Sequence, residues 1–342
     1  MSEIDIKNIN TNELISIISN LGIIGKIREK ARLPCWFQVG GPADLLFIPN
    51  DVSDLEKLLK FLNGKIKIEV IGVGSNILIR DGGIRGLVVK LGKGFNDIKK
   101  IDNEYQIIDN EIFFNNQKIY KHNTISHDIN TKIVFLRVGA RTLDMDLANY
   151  TVESGIEGLE FYAGIPGTIG GAIAMNAGAY NSDTSKSLVS VLGINKNNGK
   201  LKRFFNNEIG FDYRSNKLSK EWIFLEADFM GFISSKEIVL SRVLNIQNTR
   251  KETQPITSKT CGSTFSNPDK HSAWKLIDIS GCRGLKIGGA VISSLHSNFI
   301  INEDNASSED IENLIYLVEK KVKNLTKIKL KKEIIILGDK LY

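Results

Sequence analysis

Six glycines stand within GLEFYAGIPGTIGGAIAMNAGAY, Gly158 to Tyr180. From Ala163 to Ala172 they flank a single proline, and the passage then runs into alanines and other small residues. Glycine lets a backbone approach a partner closely and adopt positive φ. A passage this rich in small residues packs tightly against something flat or phosphorylated. Two readings are open: a structural loop, or a pyrophosphate site where a short helix begins. A strand, IVFLRVGA, and a helix, LDMDLANYTVESG, lead into it. A second glycine loop lies upstream, Ile71-Gly72-Val73-Gly74-Ser75-Asn76. Its backbone N–H groups can form an anion-binding nest, with Ser75 and Asn76 adding side-chain donors. No third glycine and no Gly-Lys-Ser/Thr follows, and a strand comes next. It is therefore neither the dinucleotide fingerprint nor a P-loop, and a plain tight turn is its alternative.

The 342 residues suggest two or three domains. With 42% hydrophobic and 25% charged residues, the composition is that of a soluble globular protein. No apolar run reaches the ~18 residues of a membrane span. The N-terminus begins acidic and polar, without the pattern of a signal peptide. Cys35, Cys261 and Cys282 are far apart and form no C-x-x-C pair, which points to the cytoplasm and away from a disulfide framework or zinc site. His122, His127, His271 and His296 show no metal spacing, so no metal is expected. The net charge of +6 suits anionic small molecules as well as nucleic acid. The densest basic run, KKVKNLTKIKLKK (Lys320 to Lys332), alternates lysine with aliphatic residues and lacks stacking rings. It reads as a solvated face rather than a nucleic-acid patch.

Periodicity predicts a helix over residues 12–29, two strands around the turn in WFQVGGPADLLFI, and a helix in DVSDLEKLLKFLNG capped by Asp51 or Ser53. Three strands follow in IKIEVIGVGSNILIRDGGIRGLVVKL. Residues 101–130 change character and read as an insertion with one or two short strands. Beyond Tyr180 come strands VSVLGIN, KLKRFF and WIFLEADFMGF and the helix EIVLSRVLNIQNTRKE. The chain closes with helix SAWKLIDIS, strand SNFIIN, helix SSEDIENLIYLVEKKVKNL and strand KKEIIILG. Few strand-helix-strand units occur in sequence, so the fold class is α+β with several small sheets. CGSTFSNP, Cys261 to Pro268, is a constrained loop in which Ser263 is a nucleophile, a proton donor or a turn residue.

Taken together, GVGSN, the Gly158–Tyr180 passage, FDYRS, CGSTFSNP, INEDNASSEDI and LKKEIIILG occur in an order that resembles the UDP-N-acetylenolpyruvoylglucosamine reductase family of flavoenzymes. The resemblance spans roughly residues 31–338 apart from the insertion, and is to the shorter subtype without a tyrosine-bearing loop insertion. It implies a vanillyl-oxidase-type FAD-binding platform of two subdomains, residues 1–64 and 65–235, and a C-terminal α+β substrate domain, 236–342. Non-covalent FAD would place its pyrophosphate against Ile71, Gly72, Val73, Gly74, Ser75 and Asn76, and against Gly164, Ile165, Pro166, Gly167, Thr168, Gly170 and Gly171. Asn176, Tyr180, Tyr213 and Asn267 would bind substrate.

The implied reaction passes hydride from NADPH through the flavin to the enolpyruvyl ether of a UDP-sugar, in the synthesis of peptidoglycan precursors. By the resemblance, Arg214 would pair with the substrate carboxylate, Glu333 would act near the same charge, and Ser263 would deliver a proton to carbon. The chain departs from the family pattern at Gln38, Asn181 and Ser266. A flavin oxidase of the same superfamily and a non-catalytic flavin- or nucleotide-sugar-binding module are the competing classes. A cytoplasmic monomer without nucleic-acid or membrane partners is expected.

Overall fold

The computed structural model describes residues 11–101, 104–108, 111–115, 117–121 and 132–341. The chain forms two compact units, each built from segments distant in sequence. One gathers the segment ending at Lys26 with Ile48–Ile66 and Lys90–Gln247; the other gathers Ile27–Phe47, Lys67–Val89 and Asn248–Tyr342.

The first unit is organised by an antiparallel sheet in the order Leu201–Phe205, Leu188–Asn195, Trp222–Ile233, Ile133–Gly139, Ile98–Lys100; Ile156–Glu157 also pairs with Trp222–Ile233. Trp222–Ile233 is buried along almost its whole length, which explains its run of apolar residues on both faces. The helix Val52–Leu62 begins at Asp51, whose side chain accepts from the Asp54 N–H, so Asp51 is the cap. It buries Leu55, Leu58, Leu59 and Leu62 and ends at Asn63 in the left-handed conformation. The helix Asp144–Ser154 stops at Gly155, again left-handed.

Residues Tyr105–Ile108, Glu111–Phe114 and Gln117–Lys121 form a three-stranded antiparallel meander, one strand more than the upper expectation for this insertion. It is not a loose decoration. Tyr105 and Ile112 share a buried cluster with Phe135, Val189, Met230 and Phe232 of the main sheet. Tyr105 stacks on Phe135 with ring centroids 4.6 Å apart. Its hydroxyl donates to Asp228 at 2.8 Å. Asp228 has no exposed surface and also accepts from Arg137 and Arg203.

The second unit holds a sheet in the order Lys26–Ala31, Ala43–Ile48, Ile84–Val89, Ile68–Val70, with Ile84–Val89 parallel to both of its neighbours. Ile335–Leu337 pairs in parallel with Ile77–Ile79. The long helix Ser308–Thr326 is capped by a reciprocal Ser307–Asp310 capping box. It is tied back by Asp81, which accepts from the Ser308 N–H and hydroxyl, and by the paired Arg80 and Glu312.

Two local expectations are corrected. The helix predicted over 12–29 ends at Asn20, and Lys26–Ala31 is a strand. Gly22 at φ +62° breaks the helix, and Lys26–Ala31 then pairs as an edge strand beside Ala43–Ile48. The first strand predicted in WFQ is a turn: the Gln38 N–H donates to Cys35 O and Gln38 sits at φ +58°. Phe37 is fully buried there, so its apolar character reports burial rather than a ladder.

Candidate functional site

In the second unit, the serine loop and the glutamate are brought onto neighbouring rungs. Phe265 and Ser266 pair with Lys332 and Lys331. The Glu333 N–H then donates to Thr264 O at 2.8 Å. Ser263 itself bridges to Phe299, and the Thr264 N–H donates to Asn298 O. Asn298 locks the loop from both directions, its Oδ1 accepting from the Phe265 N–H and its Nδ2 donating to Phe265 O. Gly262 precedes the serine at φ +75° with open space where a side chain would stand. The Ser263 hydroxyl has no hydrogen-bond partner among the described residues, so its proton is uncommitted. Asn267 is exposed, and its Oδ1 accepts from the Ala273 N–H at the start of the helix Ala273–Ile279. One end of that amide is therefore committed to capping.

The loop Ile71–Asn76 adjoins the same elements. Asn76 Nδ2 donates to Glu333 O at 3.3 Å, and Asn76 O accepts from the Ile335 N–H. Among the described residues, no hydrogen bond uses the N–H of Gly72, Val73, Gly74, Ser75 or Asn76. These uncommitted N–H groups, with Gly74 left-handed, are the donor set that an anionic group such as a pyrophosphate requires. Gly74 is required by packing as well. At φ +77°, a Cβ there would lie 2.1 Å from Pro34 O.

The first unit holds the other candidates. Arg214 and Tyr213 form the centre of a tight turn closed by two bonds, Asp212 N–H to Ser215 O and Ser215 N–H to Asp212 O. Arg214 sits at φ +56°, where a turn prefers glycine or asparagine. Strain of this kind concentrates at functional positions. The turn is anchored to the glycine passage. Asn176, buried, donates through Nδ2 to Asp212 O and accepts through Oδ1 from the Ser185 N–H. Asn176 thus orients the arginine turn from within the protein. Asn216, which the sequence reading passed over, donates to Ile173 O and Ala174 O and accepts from the Leu218 and Ser219 N–H groups. Its place two residues beyond Arg214 was the available signal. Tyr180 donates to Ile246 O at 3.1 Å, and its ring covers Gly164.

In the passage Gly164–Gly171, Thr168 caps the six-residue helix Ile169–Ala174, accepting from the Gly171 N–H. The Ile165, Ile169 and Gly170 N–H groups go to Tyr162 O, Thr142 O and Ala140 O. A Cβ at Gly164 would meet the Tyr180 ring at 2.6 Å, and one at Gly167 would meet Asp144 Oδ2 at 2.6 Å. These glycines are required first by the loop's own packing. Asp144 is fully buried with neither carboxylate oxygen hydrogen-bonded. Burial lifts its carboxyl well above the ordinary range, with the Gly167 backbone pulling the other way.

Among the described residues, no group of His, Cys, Asp or Glu could hold a metal ion. No helix is long and apolar enough to cross a membrane. His296 packs between the Trp274 and Phe299 rings, and burial lowers its pKa. His122 and His127 lie outside the described residues.

The class comes from comparison with known proteins, which gives the α+β chain an FAD-binding domain. The family described as FAD binding domain matches residues 43–124 and 109–204. The family described as UDP-N-acetylenolpyruvoylglucosamine reductase, C-terminal domain, matches residues 254–337. The UDP-N-acetylenolpyruvoylglucosamine reductase of the Wolbachia of Brugia malayi is 44% identical over 303 residues, 89% of this chain and 92% of its own. That of Orientia tsutsugamushi strain Ikeda is 40% identical over 327 residues, 95% of this chain and 99% of its own. The crystal structure of the Thermus caldophilus enzyme of that name superposes with a TM-score of 0.70 at 27% identity, covering 92% of this chain and 100% of the other. The chain belongs to the UDP-N-acetylenolpyruvoylglucosamine reductase family.

Proposed function

We propose that the protein reduces the enolpyruvyl ether of UDP-N-acetylglucosamine to the lactyl ether, with NADPH as reductant, in making a peptidoglycan precursor. Family membership supports the substrate. The observation that carries the mechanism is the 2.8 Å bond from the Glu333 N–H to Thr264 O, which makes the glutamate a neighbour of the serine loop. Bound FAD supplies the hydride relay between NADPH and substrate. The loop Gly72–Asn76 binds its pyrophosphate, and the passage Gly164–Gly171 takes part in holding the cofactor.

The protein's own residues have three tasks. Arg214 binds the substrate carboxylate with its planar fork and offsets the negative charge that develops beside it. Glu333 sets the charge balance around that intermediate and holds its neighbours in place. Ser263 gives its uncommitted proton to the carbon bearing the carboxylate. Asn176, Tyr180, Tyr213 and Asn267 frame the substrate; Asn176 does so by holding the Arg214 turn. By task, residues 1–64 and 65–235 serve the cofactor and 236–342 the substrate. The enzyme acts as a cytoplasmic monomer; the three free buried cysteines suit a reducing compartment.

The test is anaerobic. NADPH should bleach the flavin of the purified protein, and the enolpyruvyl UDP-sugar should restore its colour in one turnover. Bleaching by NADPH without reoxidation by that sugar would assign the protein to another flavin-dependent activity. Colour without bleaching would make it a binding module.

A further inference from the structure

Cys35 and Cys261 are 226 positions apart in sequence, yet both sulfurs lie within hydrogen-bond reach of one carbonyl oxygen, that of Ile77, at 3.3 and 3.2 Å. Both are free, and both are buried. Cys261 Sγ also contacts Gly74 O at 3.6 Å. The pair therefore lies under the anion nest and two residues from Ser263. Neither thiol has a role in the reduction described above.

We infer that Cys35 and Cys261 form a redox-active dithiol that a hydroperoxide closes to a disulfide, displacing the Ser263 loop and the Gly72–Asn76 nest. The chemistry balances in two steps. The Cys35 thiolate attacks the terminal peroxide oxygen; the S–O bond forms, the O–O bond breaks, and the leaving alkoxide (hydroxide from hydrogen peroxide) takes up the proton that Cys35 released on ionising, giving an alcohol or water. Cys261 sulfur then attacks the Cys35 sulfenic acid; the S–S bond forms, the S–O bond breaks, and water leaves with the Cys261 proton. Two thiols are oxidised by two electrons and one peroxide is reduced.

The division of labour follows from the surroundings. The hydrogen bond from the Cys261 thiol brings Cys35 down to about 6, against the opposing effect of burial. Burial pushes Cys261 well up, and its bond to Cys35 acts in the same direction. Cys35 is thus the thiolate and Cys261 the resolving thiol. Thiols that share an acceptor must still move to reach the ~2.05 Å of an S–S bond. Gly262 provides the slack, with positive φ and nothing within 4 Å of its open side. The other side cannot yield quietly: a Cβ on Gly74 would lie 3.0 Å from Cys35 Cα, so the nest packs directly on the Cys35 backbone. In a reducing compartment the pair stays open and closes only under peroxide.

The effect on turnover rests on the roles proposed for Ser263 and the nest; the disulfide does not, and the experiment reads the two separately. The FAD-loaded protein is treated with hydrogen peroxide, and its intact mass, thiol count and peptide map are followed alongside flavin reoxidation by substrate. The expected result is loss of two hydrogens, a linked Cys35–Cys261 peptide pair, and a fall in reoxidation of about 10²-fold, as for a reacting group misplaced by an ångström. A dithiol reductant restores both. Cys35→Ser and Cys261→Ser each abolish the link, whereas Cys282→Ser retains it. Oxygen added at Cys35 without a link, a link to Cys282, or no reaction overturns the dithiol. A link that leaves reoxidation unchanged overturns the displacement of the loop.

Discussion

Ser263 and Arg214 are held in contrasting ways, and each arrangement predicts a different loss. Ser263 is fixed through its backbone while its hydroxyl stays uncommitted, so Ser263→Ala should disturb little except proton delivery. Flavin content and reduction by NADPH are expected to match the parent, and reoxidation by substrate to fall by ~10²–10⁴-fold, the usual contribution of a general acid. Stopped-flow absorbance of the two half-reactions separates these outcomes; a parental reoxidation rate would exclude the serine as donor. Arg214 occupies a left-handed position that costs about 1 kcal/mol or more for a residue with a side chain. Arg214→Lys keeps that backbone and the charge but loses the planar fork. Its reductive half should stay near parental while its oxidative half slows strongly. Equal losses in both halves would point to a structural role for the arginine.

At the scale of elements, the two glycine loops resemble each other in sequence but work differently. Among the described residues the N–H groups of the Gly72–Asn76 loop are uncommitted, whereas the Gly164–Gly171 passage directs several of its own inward and packs its glycines against Tyr180, Asp144 and Ala140. Gly167→Val therefore pushes into Asp144 before any cofactor is considered. The expected cost is ~1–3 kcal/mol of overpacking together with weakened flavin retention. A second change, Asp144→Ala, should recover part of the stability, because the two sites share one space. Thermal unfolding of the single and double variants checks this, and full additivity would reject it. The insertion behaves as an integral element too. Tyr105→Phe leaves Asp228 one donor short, with Arg137, Arg203 and Ser190 still bound. Stability should drop by about 1–3 kcal/mol with NADPH reduction of the flavin unchanged.

What the sequence revealed divides along the same line. Local signals were readable: a cap at Asp51 or Ser53, of which Asp51 is the one used, and the strand in WIFLEADFMGF. The motifs carrying Ser263, Glu333 and Arg214 were readable because each is short and distinctive. The cluster around Asp228 was not, since its arginines, tyrosine and serine come from separate strands whose register no local pattern encodes. For the same reason Cys35 and Cys261 read as unrelated, and Asn216 was passed over.

At the scale of the whole molecule, Asp144 imposes a pH dependence on folding. Folded proteins are stable by only ~5–15 kcal/mol, so one buried carboxyl without a hydrogen-bond partner matters. In the unfolded chain its carboxyl titrates near the ordinary value of 3.8; in the folded protein burial raises it well above that. Below the unfolded value both states hold the proton, and the contribution of the folded state is fully present. As pH rises, the unfolded chain releases its proton first, the folded state binds more protons than the unfolded, and stability falls until the folded value is passed. At neutral pH the residue is therefore a net burden. Asp144→Asn keeps the shape and removes the ionisation. The variant should unfold at higher urea concentration than the parent at about pH 7, and the two should converge as the pH is lowered toward about 4. Midpoints measured across that range decide the matter. A variant weaker than the parent by the same margin throughout would mean that Asp144 stabilises the Gly167 turn through contacts independent of its charge.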